Sequence, residues 1–316
     1  MYMPYFGEFL RKTVFTRTSR TDLLVKLQLE YAEFNGLDNI TLSRWVNGVT
    51  TPSLNRQILI AKASDSLFDF LSNCPEIKVP TAIKNKYNNY LNQFDSIYHS
   101  IDHCEHMHKY YYFKGPNLIG RDIYAHYMNK LNVNVTVKRY FKLHNMTPVV
   151  EVFYRAKEPL SRASSFVCMS INTHMFLEAI GFDKKEIASL TNGGALFINL
   201  SFYRCSNDYK DIFGLLLNHI IFNHLDLHSV IMVARGRDSM MWFETIGAEQ
   251  VKLIEHSTVY GNIYLYKISL SKLLGIPVVL SSAIEKLGLY TDCFERLQSK
   301  EMLLHHSKEL NKELKV

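Results

Sequence analysis

Residues 28 to 56, QLEYAEFNGLDNITLSRWVNGVTTPSLNR, carry a punctuation that suits two crossing helices better than any other short structure. Ala32 is small enough to let two helices approach closely, and Gly36 supplies the positive φ that a tight turn demands. Leu37, Leu42 and Trp45 recur at the spacing that turns one helix face inward, leaving Ser43, Arg44 and Asn47 outward. Gly48 stops that helix as a C′ residue does, and Pro52 with Ser53 opens the next one at Asn55 to Ala63. The outward strip is polar, short and rich in hydrogen-bonding groups. The bland alternative is an ordinary helical hairpin in which Arg44 is a solvated charge.

The run of Ala32, Gly36, Leu42-Ser43, Gly48 and Pro52 resembles the Cro-like (XRE-type) phage repressor family over roughly the first seventy residues, with flanking helices near Tyr5 to Thr16 and Ser64 to Leu71. The resemblance implies a five-helix DNA-reading module whose helix from about Asn39 to Asn47 enters the major groove. It assigns groove contacts to Asn39, Thr41, Ser43, Arg44 and Asn47, and a phosphate contact to Gln28 at the start of the preceding helix. The chemistry agrees: Arg bridges guanine O6 and N7, and Asn bridges adenine N6 and N7. Ile40 departs from a polar strip and suits a thymine methyl.

With 316 residues and 47% hydrophobic content, the chain is long enough for two domains, each with its own core. No stretch of apolar residues reaches the length of a membrane span, and the opening MYMPYFGEFLRK lacks the features of a signal peptide. Five cysteines, odd in number and never spaced C-x-x-C, fit free thiols in a reducing compartment, so a cytoplasmic protein is expected. The net charge of +6 is unevenly spread. Residues 1–72 carry 8 Lys and Arg against 7 Asp and Glu, residues 73–150 carry 10 against 5, and residues 151–316 carry 18 against 18. A nearly neutral reading head attracts phosphate weakly. A homodimer, or help from Lys78, Lys84 and Lys86, offsets this.

From Ala82 to about His108, apolar residues at steps of three and four predict an amphipathic connector helix. His99, His103 and His106 share its far face, with Cys104 close by, but no second ligand pair follows and no metal site is expected there. Beyond it, Ile123 to Leu131 reads as a helix, and Val133 to His144 with Val149 to Arg155 reads as an antiparallel hairpin joined by HNMT. Ala195 to Tyr203 is a strand, Asp211 to Leu225 a helix, Ser229 to Ala234 a buried strand and RDSMMWFETIG a short helix; strands follow at Gln250 to Glu255 and Asn262 to Ile268. That order predicts a parallel step across the Asp211 helix. Ser281 to Val316 reads as one or two helices with an apolar stripe that docks on its own domain or on a second subunit.

This order, and the run Met240-Met241-Trp242-Phe243-Glu244-Thr245-Ile246-Gly247-Ala248, are similar to the GNAT acyltransferase superfamily over about residues 110 to 270. The resemblance implies that acetyl-CoA pyrophosphate sits on backbone amides of the loop Arg204-Cys205-Ser206-Asn207-Asp208-Tyr209 and the helix start after it. Arg204 matches the family loop, but Asn207 replaces a glycine, Tyr209 fills a small-residue position and Asp208 adds a negative charge. Phe243 stands where the family's thiolate-protonating tyrosine is common, and a phenyl ring has no proton to give. His174, His219, His224 and His228 form no legible triad, and no G-x-G-x-x-G loop is present. No catalytic residue, metal or cofactor is therefore expected, and a cleft of Phe197, Phe202, Tyr203, Arg204 and Phe243 is assigned to a small apolar or acyl ligand.

The expected fold is α+β in two domains: an all-α helix-turn-helix module over 1–72, a helical connector over 73–108, an α/β GNAT-like domain over 109–275 and C-terminal helices over 276–316. The expected function is sequence-specific regulation through double-stranded DNA, the second domain sensing a ligand or dimerising. The alternatives are an acyltransferase dependent on acyl-CoA or an acyl carrier, carrying a DNA-binding head, and an interaction protein whose head binds protein.

Overall fold

The structure, a computed structural model, describes residues 4–75, 77–95, 108–116, 123–124, 132–257 and 261–294. Its first part is helical: Pro4–Lys12 (α1), Arg20–Glu30 (α2), Asn39–Val46 (α3), Leu54–Ala63 (α4) and Leu67–Ser72 (α5). Ser19 caps α2 by accepting from the Asp22 amide at 3.1 Å, and Asp38 caps α3 by accepting from the Thr41 amide at 2.6 Å. Phe6, Leu10, Leu23, Leu27, Phe34, Leu42, Trp45 and Ile58 pack between the helices. Gly36, at φ +78°, turns the chain into α3.

The small residue that permits close approach is not Ala32. Ala32 is exposed and opens a 3-10 turn, Ala32–Phe34, between α2 and α3. Close approach is made instead by Gly7 of α1, where a Cβ would stand 2.9 Å from the Trp45 and Val46 carbonyl oxygens. Arg11, one turn on, donates to that same Val46 carbonyl. Together they clamp the end of α3 from behind.

The connector helix Thr81–Asn92 (α6) is shorter than its periodicity predicts, giving way to a turn at Gln93 and Phe94. His99, His103, Cys104 and His106 lie outside the described residues. The chain continues as Lys109–Pro116 (β1), Asn132–Leu143 (α7), Val149–Ala156 (β2), Ser165–Ser170 (β3), Thr173–Ala179 (α8), Lys184–Thr191 (α9), Ala195–Phe202 (β4), Ser206–Asn223 (α10), Ser229–Arg235 (β5), Arg237–Thr245 (α11), Glu249–Ser257 (β6), Gly261–Ser269 (β7), Leu270–Leu274 (α12) and Pro277–Glu285 (α13).

The seven strands form one mixed sheet in the order β1-β2-β3-β4-β5-β7-β6. β4 and β5 run parallel, as the intervening helix requires, and the other pairs run antiparallel. β4 pairs with β5 only from Ala195 to Ile198, against Ser229 to Met232. Past that point the two strands carry on without pairing, so the sheet opens at its centre.

The hairpin expected at Val133 to His144 is instead α7. Val133, Val135 and Val137 alternate like a strand, but Asn134, Val137 and Phe141 are the buried residues, at helical steps. Phe141 meets Phe176 of α8 edge-on at 5.1 Å. Packing on the sheet face outweighs the β-branched preference.

α7, α8 and α9 cover one face of the sheet; α6, α10, α11 and α13 cover the other. The core of this second face is continuous with that of α1–α5, from Phe6 and Trp45 through Ile77 and Tyr87 to Tyr266 and Leu274. The N-terminal helices are thus packed onto the rest, not hung from a linker.

α13 and a final helical stretch over 287–294 dock on the chain's own α10. Asn218 donates to the Ala283 carbonyl at 2.7 Å, and Lys286 pairs with Asp211 at 2.9 Å. The apolar stripe is therefore covered as far as Phe294, while Leu297, Leu303, Leu304 and Leu310 lie outside the described residues. Among the described residues, no helix is long and apolar enough to cross a membrane.

Candidate functional site

The solvent face of α3 is set by its buried side. Leu42, Trp45 and Val46 point inward, which turns Asn39, Ile40, Arg44 and Asn47 outward, with Thr41 and Ser43 half-buried at the edge. Ile40, 72% exposed, is an apolar side chain within this otherwise polar strip. The Arg44 guanidinium forms no hydrogen bond or ion pair with any described residue. Asn47 lies 3.4 Å from the Ser43 hydroxyl. The Thr41 amide holds the Asp38 carboxyl below the usual aspartate range, so the cap stays ionised at the helix start.

Gln28 does not occupy the phosphate position expected of it. It stands in the last turn of α2, not its first, and its amide donates to the Leu37 carbonyl at 2.6 Å. It ties α2 to the turn before α3.

The start of α10 is built in the opposite sense. The helix begins at Ser206, earlier than its apolar pattern suggests, because Asp95 accepts from the Ser206 amide at 2.8 Å. Asp208, 2% exposed, accepts from Arg155 at 2.8 Å and from the Ser165 hydroxyl at 2.5 Å, with the Arg204 Nε at 3.7 Å. The Tyr110 hydroxyl donates to Asp211 at 2.7 Å and stands 3.4 Å from Asp208. The Asp208 charge is thus matched from inside by two guanidinium groups.

α6 lies across the neighbouring groove between α10 and α11. Tyr90 stacks on Trp242 at 5.6 Å, Phe94 stacks on Tyr209 at 5.1 Å, and Tyr87 lies 5.0 Å from Trp242. Burial pushes the Tyr87 hydroxyl up to about 12 and raises Tyr90, Tyr203 and Tyr209 further, so all four remain neutral phenols at pH 7.

The five residues assigned to one ligand cleft do not meet in one. Phe197 and Phe202 belong to the α7–α8 face, Phe197 stacking on Phe176 at 5.3 Å; Tyr203 and Phe243 belong to the opposite face. Adjacent residues point to opposite sides, which separates Tyr203 from Phe202, and the register shift between Ile198 and Leu200 keeps Phe197 and Phe202 on one face although five positions part them. Arg204 lies beside Asp208, at the head of α10. The opening between β4 and β5 is lined by Phe197, Asn199, Ser201, Val233 and Arg235, with Val137 from α7.

A third cluster joins residues far apart in the sequence. Glu151 points inward from β2 between the fully buried Val150 and Val152. Its carboxylate accepts from His219 of α10 and from the Tyr112 hydroxyl at 2.9 Å, and Lys114 reaches its other oxygen at 3.0 Å. His224, the residue that ends α10, places Nε2 3.5 Å from the oxygen that His219 uses. Burial works to raise the Glu151 carboxyl, but His219, His224 and Lys114 more than offset it and hold the group far below the usual carboxylate range. Burial lowers His219 against the pull of Glu151, leaving a neutral ring whose Nδ1 accepts from Asn223 at 3.1 Å.

His219 and His224 read separately in the sequence; the end of α10 at Asn223 is what turns His224 toward its neighbour. The one signal present was a glutamate inside the apolar strand VVEVFY. The chain matches no protein-family model, and no curated protein is significantly similar to it.

Proposed function

We propose that this chain is a sequence-specific DNA-binding regulator that reads the major groove with α3. The observation that carries this reading is the solvent face of α3: Asn39, Thr41, Ser43 and Arg44, with an exposed Ile40, on a helix fixed from behind by Gly7 and Arg11. Such a strip combines donors and acceptors for base edges with an apolar contact for a thymine methyl. The five-helix order and the positive-φ Gly36 support a helix-turn-helix of the Cro-like (XRE-type) kind. One copy of a nearly neutral head makes few phosphate contacts, so a homodimer on an inverted repeat is the working form.

The strand order, the parallel β4–β5 step and its opening support a GNAT-like sheet domain. This domain organises or binds; it does not transfer acetyl groups. Asp95 already takes the Ser206 amide at the α10 start, where pyrophosphate would need free amides, the buried Asp208 sets a negative charge in the same turn, and the α6 aromatics fill the adjoining groove.

Selection from random duplexes with the full chain tests the reading. An enriched motif is expected, and Arg44→Ala should weaken binding to it by about 1–3 kcal/mol and relax one position. No enriched motif, with Arg44→Ala binding as the parent does, overturns the DNA reading in favour of a protein-binding head. Calorimetry should detect no acetyl-CoA binding tighter than roughly millimolar. Measurable affinity promotes the acyltransferase alternative.

A further inference from the structure

The geometry points to a buried site for a divalent transition-metal ion, of which Zn2+ is the first candidate, formed by Glu151, His219 and His224. It rests on a different part of the molecule from the DNA reading and stands or falls separately. One ligand atom from each of the three residues lies within 4.8 Å of the other two, and all three side chains are at least nine-tenths buried. Two imidazole nitrogens and a carboxylate converging on one point make a donor set suited to such an ion.

The independent sign is His224. Its Nε2 is buried and has no hydrogen-bond partner, though it stands only 3.5 Å from Glu151 Oε2. That separation is too long for a well-formed hydrogen bond, and His219 and Tyr112 already occupy the same carboxylate oxygen, so a metal ion held between the two groups supplies the buried nitrogen with the contact it lacks. Tyr112, whose hydroxyl is 2.9 Å from the same oxygen, is placed to give a fourth ligand or to hold a water in that position.

The surroundings also fit. Rings of Tyr112, Phe153, Tyr290 and Phe294 enclose His219; when an ion replaces the Nε2 proton, Nδ1 carries the hydrogen and the Tyr290 hydroxyl, 3.5 Å away, is placed to accept it, while the Asn223 amide keeps the His219 carbonyl at 3.2 Å. An ion here joins β2 to the end of α10 and lies beneath the 287–294 helix. Its role is structural.

The test uses the full chain, stripped of metal with a chelator and titrated with Zn2+ or Co2+. One ion per chain is expected by elemental mass spectrometry, Co2+ should show the visible bands of low-coordinate cobalt, and Zn2+ should raise the melting temperature. His224→Ala should remain folded by circular dichroism, because it deletes an unpartnered nitrogen, yet bind at least about 100-fold more weakly and show no Zn2+-dependent melting shift. Glu151→Gln is expected to behave alike; if it fails to fold, His224→Ala decides alone. A control replacing His99, His103 and His106 with alanine should keep the ion. The assignment is overturned if the parent takes up no ion, if His224→Ala binds as the parent does, or if only the control loses the ion.

Discussion

The first turn of α3 holds its polar side chains toward solvent, whereas the first turn of α10 holds Ser206 and Asp208 toward the protein. Each helix start concentrates unpaired amides and a partial positive charge, so each attracts an anion. At α3 a single local aspartate supplies the cap, and the face beyond it stays open. At α10 one anion, Asp95, comes from beyond α6 to take the Ser206 amide, and a second, Asp208, lies in the helix's own first turn with Arg155 and Arg204 behind it. One is arranged to meet a partner; the other has its partners built in. The same local feature therefore argues for recognition in one place and for scaffolding in the other, and only the surrounding contacts distinguish them.

The largest effect expected from breaking this contrast is at Asp208. Asp208→Ala leaves the largely buried Arg155 and Arg204 beside an empty position, with side chains 16% and 21% exposed, and deprives Ser165 of its acceptor. Removing one partner of a buried ion pair typically costs about 3–5 kcal/mol. Urea unfolding should show a loss of that size. A loss below about 1 kcal/mol, within the range of exposed ion pairs, would mean that the network does not hold this helix start.

Gly7→Ala is the next largest, and it acts on α3 from behind. The added methyl meets two backbone oxygens that cannot rotate away, so α1 must shift, costing about 1–3 kcal/mol. DNA affinity should fall with it, because the clamp on the end of α3 loosens. Unchanged stability would show that α1 has room to move. Asp95→Ala should cost less, about 1 kcal/mol, as the loss of a helix cap does, because water can reach the freed Ser206 amide from the exposed side. Hydrogen exchange at the start of α10 should quicken while that at α3 is unchanged.

Much of this contrast is legible in the amino-acid sequence. Gly36, Leu42, Trp45, Gly48 and Pro52 punctuate α3 and α4 because turn chemistry and helical period are local properties. The strands β4 to β7 and the helices between them were legible for the same reason. α7 was not, since a run of alternating valines carries a strand signal that only its packing against Phe176 cancels. Gln28 was assigned to the wrong end of α2 because the 3-10 turn at Ala32 separates α2 from α3 in a way that spacing alone does not show. The Glu151, His219 and His224 cluster was hidden more deeply: 68 residues separate Glu151 from His219, and the face of the sheet on which α10 lies decides that they meet. Similarly, the adjacent Phe202 and Tyr203 at the end of β4 suggest one cleft in the sequence, where the structure turns them to opposite faces of the sheet.

The smallest expected effect is the most discriminating for α3. Ile40 is 72% exposed and touches little, so Ile40→Ser should leave the unfolding midpoint within about 0.5 kcal/mol of the parent. If Ile40 covers a thymine methyl in the groove, the same change removes an apolar contact worth about 0.8 kcal/mol per buried methylene. Affinity for the selected duplex should then fall about fivefold, the preference for thymine at one position should fade, and duplexes altered elsewhere should be read as before. A loss of folding stability would show that Ile40 is held by its own domain. Equal binding by parent and variant would show that this end of α3 stands clear of the bases, moving the reading surface toward Arg44 and Asn47.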